Sequence, residues 1–231
     1  MRLLVSGATA TMNRLLNDPR TAGDARRYLG HLILPRNGNA LASIEATGLP
    51  YACDNGCFLR WEPNRFGRML QRFGPGAEWV AMPDVVGSAR GTAVLWDGYT
   101  SIYDDAEGLI NWALVAQNGL DGLDWDFALG MCQALFIGGD DSFKESREAA
   151  ALAGVAKRRG KWVHMGRVNT FRRFRIAYEM GCDSVDGGSY SNWPDRRIPE
   201  AIGWLKRLDS KRCQGELFSP EDVFVTEEVL V

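Results

Sequence analysis

Short apolar runs recur along the chain, separated by stretches that are amphipathic or rich in helix formers. The runs fall at residues 2–6, 31–35, 51–54, 79–83, 112–117, 134–138, 161–165 and 182–186, which predicts eight strands. Helical periodicity or composition marks 65–73, 142–159, 171–180 and 199–208. Strand and helix in alternation imply a parallel sheet with right-handed crossovers. Eight such units in 231 residues predict an α/β fold, a compact (β/α)8 TIM barrel. A doubly wound open sheet is the alternative, since a miscount of one or two short strands separates the two. No linker, low-complexity segment or short-period repeat breaks the pattern. We therefore expect one barrel domain over residues 1–210. A C-terminal segment over 211–231, acidic through Glu216, Glu221, Asp222, Glu227 and Glu228, is expected to pack on it.

The predicted strands end in polar residues and, in most cases, glycine. In order these ends read Pro35-Arg36-Asn37-Gly38, Asp54-Asn55-Gly56, Pro83-Asp84, Gln117-Asn118-Gly119, Ile137-Gly138-Gly139-Asp140, His164-Met165-Gly166-Arg167 and Asp186-Gly187-Gly188. A barrel of parallel strands gathers such ends on one rim, where folds of this kind place their sites. Alternation along each strand sets Ala52 with Asp54, Val115 with Gln117 and Ser184 with Asp186 on common faces, and turns Asp183 away. Taken singly, Asp-Gly and Asn-Gly are ordinary turn signals.

Composition narrows the reading only slightly. The apolar and charged fractions, 45% and 24%, are those of an ordinary globular protein. No apolar stretch approaches the roughly 20 residues a bilayer span requires, and no secretory leader is expected. Five scattered cysteines and two histidines predict reduced thiols in a cytoplasmic protein, with no metal site. The formal charge of −2 neither demands nor excludes a nucleic-acid partner.

The ordered set Asp54-Asn55-Gly56-Cys57-Phe58, Pro83-Asp84, Val115 to Gly119, Phe136 to Gly139, His164 to Arg167 and Gly181 to Asp186 resembles the tRNA-guanine transglycosylases. It is closer to their DpdA-type, DNA-modifying relatives of phages and bacteria, and the resemblance spans roughly residues 31 to 190. It implies an exchange in which guanine leaves its deoxyribose and a 7-deazaguanine such as 7-cyano-7-deazaguanine replaces it, without a cofactor. The implied nucleophile is Asp186, with Asp54 as the second catalytic carboxyl group. The implied base contacts are Asp84, Gln117, Asn55, the backbone of Gly138 and Gly139, and Met165 as an apolar shelf. The three-cysteine-plus-histidine zinc site of the tRNA enzymes has no counterpart, which favours DNA over tRNA as the polymer. The Pro-Thr-Arg that follows the family's nucleophile is replaced by Gly187-Gly188-Ser189-Tyr190.

A base stacked in a duplex cannot be reached, so the target must be flipped out or single-stranded. Arg36, Lys144, Arg167, Arg172 and Arg196 follow strand ends or begin helices and are the expected phosphate contacts. The expected partners are DNA and a free 7-deazaguanine base, with no membrane; a homodimer or a helper protein stays open. A tRNA-acting transglycosylase, a barrel glycosidase and a non-catalytic nucleic-acid-binding relative are the competing readings.

Overall fold

The computed structural model describes residues 1–102, 108–119 and 124–213. Eight strands pair in sequence order, all parallel, and β8 returns to β1 to close a barrel, which excludes the open-sheet alternative. The chain enters with β1 (Arg2–Val5), α1 (Thr9–Asn17) and α2 (Ala22–Tyr28), then β2 (Leu29–Ile33) and α3 (Leu41–Glu45). Next come β3 (Tyr51–Cys53) with α4 (Pro63–Phe73), β4 (Val80–Ala81) with α5 (Ala89–Ile102), and β5 (Trp112–Ala116) with α6 (Trp125–Gly130). The last third holds β6 (Ala134–Ile137), α7 (Asp141–Lys144), α8 (Arg147–Arg158), β7 (Trp162–Met165), α9 (Phe171–Glu179), β8 (Ser184–Asp186), α10 (Gly188–Asn192) and α11 (Pro194–Cys213).

The helix expected over 142–159 is two helices. Ser146 breaks it, accepting from the Ala149 N–H as the N-cap of α8, while Asp140 caps α7 by accepting from Phe143 N–H. The final helix begins before Pro199 and runs through residue 210 to Cys213. The expected acidic segment beyond that point lies outside the described residues.

Alternation along the strands builds two shells. Leu3, Val5, Leu114, Leu135, Ile137, Val163, Met165 and Val185 point outward and pack under the helices. Leu4, Leu32, Ala52, Trp79, Ala81, Ala113, Val115 and Ala134 form an inner cluster, with Phe136 and Trp162 packed against it. Small inward residues on β3, β4, β5 and β6 leave room for the large rings of Trp79 and Phe136, whose centroids lie 5.6 Å apart, edge to face. The interior is thus a packed core whose upper layer floors the mouth.

Gly30 on β2 marks how tight this packing is. A methyl group there would meet the Leu4 side chain at 2.6 Å and the Pro50 carbonyl oxygen at 2.9 Å. The carbonyl cannot retreat, because it accepts the His31 N–H that pairs β2 with the chain entering β3. We predict that Gly30→Ala destabilises the barrel by about 1–3 kcal/mol, the usual range for overpacking. Urea unfolding checks this, and an unchanged midpoint would contradict the packing described.

Candidate active site

The C-terminal ends of the strands surround one pocket, lined by Asp54, Asn55, Asp84, Gln117, Gly138, Gly139 and Asp186, with Phe58, Val86, Val115, Phe136, Gly166 and Arg167 completing it. Three aspartates therefore converge on one mouth, each from a different strand end.

Asp84 is held by two amides. Asn55 Nδ2 donates to its Oδ1 at 2.7 Å, and Gln117 Nε2 donates to its Oδ2 at 2.5 Å. Burial still pushes its carboxyl above the usual range, opposed by these hydrogen bonds, by the Cys57 thiol and by the charge of Arg167. The amides are fixed in turn. Asn55 also donates to the Met82 carbonyl and accepts from Cys57 N–H, while Gln117 Oε1 accepts from the N–H groups of Gly87 and Gly139, both at 2.8 Å. A carboxylate has about four lone-pair sites, and with the two amides and the Cys57 thiol on it about one remains for a donor arriving from the pocket. Asn55 and Gln117 thus act through Asp84, orienting it, and this differs from the direct base contact expected for them. The backbone N–H groups of Gly138 and Gly139 are likewise committed, to Ala116 O and Gln117 Oε1. A side chain at Gly138 would collide with Gln117 Nε2 at 2.8 Å, which is why the position is glycine.

Asp54 and Asp186 sit deeper in the electrostatic sense. Asp54 Oδ1 accepts the Gly56 N–H at 2.6 Å, closing a turn in which Gly56 has φ of +77°. Burial, then the charge of Asp186, raises its carboxyl to about 7. Asp186 Oδ1 accepts the Arg167 backbone N–H at 2.5 Å. Burial raises its carboxyl to about 6, with the Arg167 N–H, Lys144 and the Arg167 guanidinium opposing. The two acids differ because Asp186 has cations near it and Asp54 has another carboxylate.

Beneath Asp186 runs a hydrogen-bonded chain. Trp162 Nε1, which can only donate, reaches Ser184 Oγ at 2.9 Å, and Ser184 Oγ lies 2.8 Å from His164 Nδ1. The serine can complete the chain by donating to Nδ1, and the tautomer that goes with this carries its hydrogen on Nε2, where it turns an N–H and not a lone pair toward the Asp186 carboxylate. Nε2 has no hydrogen-bond partner and lies 3.9 Å from Asp186 Oδ1. Burial lowers the ring's pKa to about 3, so it is neutral. A neutral N–H is thus aimed at the carboxylate from within the core.

Arg167 shapes the pocket wall. It is the one non-glycine residue with positive φ among the described residues, at 59°, a conformation that costs on the order of 1 kcal/mol and is held by its neighbours. Its N–H holds Asp186, its guanidinium donates to the Gly139 carbonyl, and its charge lies 4.3 Å from the centroid of the exposed Phe58 ring. Gly187 has extended backbone, and a side chain there would strike Asn169 Oδ1 at 2.4 Å.

Two expectations are corrected. Met165 is no shelf for a ligand: inward His164 forces its neighbour outward, into the shell beneath the helices. Lys144 is no phosphate contact: it is 1% exposed, with Nζ donating to Gly166 O and paired with Asp141. Of the other cations, Arg172 is paired with Glu145 and Arg36 with Glu62, while Arg196 is exposed on α11, away from the pocket. Asp183 pairs with Lys157 and accepts the Val163 N–H, a structural role. Phe58, Phe136 and the His164 chain also belong to the site. Strand alternation marks the inward pair Phe136 and His164, whereas nothing in the spacing marks Phe58.

Among the described residues no group of three or more His, Cys, Asp or Glu side chains is placed to hold a metal ion, and no helix is long and apolar enough to cross a membrane. No protein-family model matches the chain, and neither does any curated protein.

Both deep carboxyls lie above the ordinary value of 3.8, so folding favours their protonated forms. The associated stability is complete below about pH 4 and is lost as pH rises through about 6 and 7. Asp54→Asn and Asp186→Asn should therefore raise the thermal midpoint at pH 8 and change it little at pH 4. Lowered midpoints at pH 8 would contradict the burial of these charges.

Proposed function

We propose that the protein is a DNA guanine transglycosylase, exchanging guanine for a 7-deazaguanine through a covalent glycosyl intermediate on Asp186. The observation that carries this reading is a pair of half-buried carboxyl groups on one mouth, both held above the ordinary carboxyl range by their surroundings. Asp186 has cations beside it and Asp54 a second carboxylate, the division of labour that cleavage of a glycosidic bond needs.

The steps balance without a redox partner. The Asp186 carboxylate attacks C1′ as the bond to guanine N9 breaks, and Asp54 gives its proton to the departing base. The entering 7-deazaguanine gives its ring N–H proton to the Asp54 carboxylate and displaces Asp186 from C1′. Two inversions retain the configuration. Asp84, with about one lone-pair site open, accepts from the ring N–H of guanine, which adenine lacks. His164 N–H and Arg167 stabilise the Asp186 carboxylate as it departs from C1′. Phe136 and Val115 supply an apolar floor, and Phe58 under the Arg167 guanidinium supplies a wall.

Incubation with labelled guanine or 7-cyano-7-deazaguanine, on DNA and on tRNA, tests the reading. Label should enter DNA; label in neither polymer would overturn base exchange, and label only in tRNA would overturn the choice of polymer. Asp54→Asn should lower the rate about 100-fold or more, the scale of a lost proton carrier. The pH profile should rise near 6 and fall near 7, the limbs belonging to the coupled pair. Asp84→Asn should erode discrimination between guanine and adenine, and undiminished selectivity would refute its role.

A further inference from the structure

The segment leading away from Asp54 carries a charge pattern that the pocket does not use. α4 buries Phe66, Met69, Leu70 and Phe73 and leaves Arg65, Arg68 and Arg72 exposed. At 100° and 1.5 Å per residue these three arginines form one stripe about 60° wide and about 10 Å long. With Leu34, Pro35 and Asn37 from the loop after β2, they line an open groove of about 510 Å3. Arg36 lies on the loop after β2 and Arg60 on the loop between β3 and α4, both beyond strand ends that form the mouth.

Glu62 is the carboxylate that answers these cations, 2.7 Å from Arg36 and 3.5 Å from Arg65. Arg68 and Arg72 pair with no carboxylate among the described residues, although Arg72 lies over the Phe73 ring at 5.3 Å. Like charges three and four residues apart on a helix destabilise it, so the stripe is unfavourable without an anion. The groove lies beside the pocket: Pro35, on its wall, borders Gly56 in the turn that holds Asp54. A row of guanidiniums leading to a pocket for a base matches a polyanion with evenly spaced phosphates, which arginine binds through two N–H groups at once.

We propose that this groove is the track for the sugar-phosphate backbone of a single strand, whose extruded base enters the pocket. This rests on the base-exchange reading for the occupant of the pocket, but the track can be tested separately. The variant Arg65→Gln, Arg68→Gln, Arg72→Gln keeps helix-forming side chains and removes like-charge repulsion, so its thermal midpoint should not fall.

The probe is a fluorescein-labelled, guanine-containing single-stranded deoxyoligonucleotide, followed by anisotropy across a potassium chloride series. The triple variant should bind about tenfold or more weakly at low salt, and its slope of log affinity against log salt should shrink by about 2, at roughly 0.7 per phosphate contact. The single variant Arg158→Gln, at the C-terminal end of α8, should match the parent. Unchanged affinity and slope in the triple variant, or no binding by the parent, would overturn the track. If the triple variant loses binding but the parent exchanges no base, the track stands and base exchange fails. If the parent exchanges base and the triple variant binds as before, base exchange stands and the track fails.

Discussion

β8 closes the barrel with Leu4 opposite Asp186 on one side and His164 opposite Ser184 on the other. Because side chains alternate, this register turns Ser184 and Asp186 inward together and sends Val185 beneath the helices. A slip of one residue would put Asp183 and Val185 inside and remove both the carboxylate and its supporting chain. Asp183 opposes such a slip: its carboxylate joins Lys157 and the Val163 N–H on the outer side. The strand is only three residues long, so its neighbours impose this alignment.

Given that register, the mouth is an arrangement of charges held at unequal cost. Asp84 is fixed by two amides whose other hydrogen-bonding groups are occupied by backbone, which makes it a rigid acceptor. Asp186 meets an N–H from a strained loop, a neutral imidazole N–H and the field of Lys144 and Arg167. Asp54 has one turn N–H and a neighbouring carboxylate. Three identical side chains thereby acquire three different environments, each set by the groups packed around it. Lys144 contributes as a buried cation behind Asp186, a role that requires it to be withdrawn from solvent.

Much of this was legible in the sequence, for a physical reason. Strand ends must carry polar groups where they meet at a mouth, so Asp54, Asp84, Gln117, Gly138 and Asp186 could be gathered before any fold was known. The same alternation rule that placed Asp186 would have turned Met165 away, had His164 been taken as the inward residue of β7. The burial of Lys144 is not legible, because charge in a sequence carries no record of burial; the packing of α7 against the loop after β7 decides it. The break at Ser146 follows from a cap whose signal is short beside the long alanine-rich run after it. The arginine stripe was visible at 65, 68 and 72 within a predicted helix. Its meaning depends on which face α4 buries and on the groove beside it.

The proposed exchange requires the Asp186 carboxylate to bond to C1′ of a guanine nucleotide. Intact-protein mass spectrometry after acid quench of the protein with a guanine-containing deoxyoligonucleotide tests it most directly. The account predicts a covalent protein–oligonucleotide adduct lacking one guanine, present in the parent and absent in Asp186→Asn. An adduct that survives Asp186→Asn, or base exchange whose quenched adduct maps to another side chain, would contradict it.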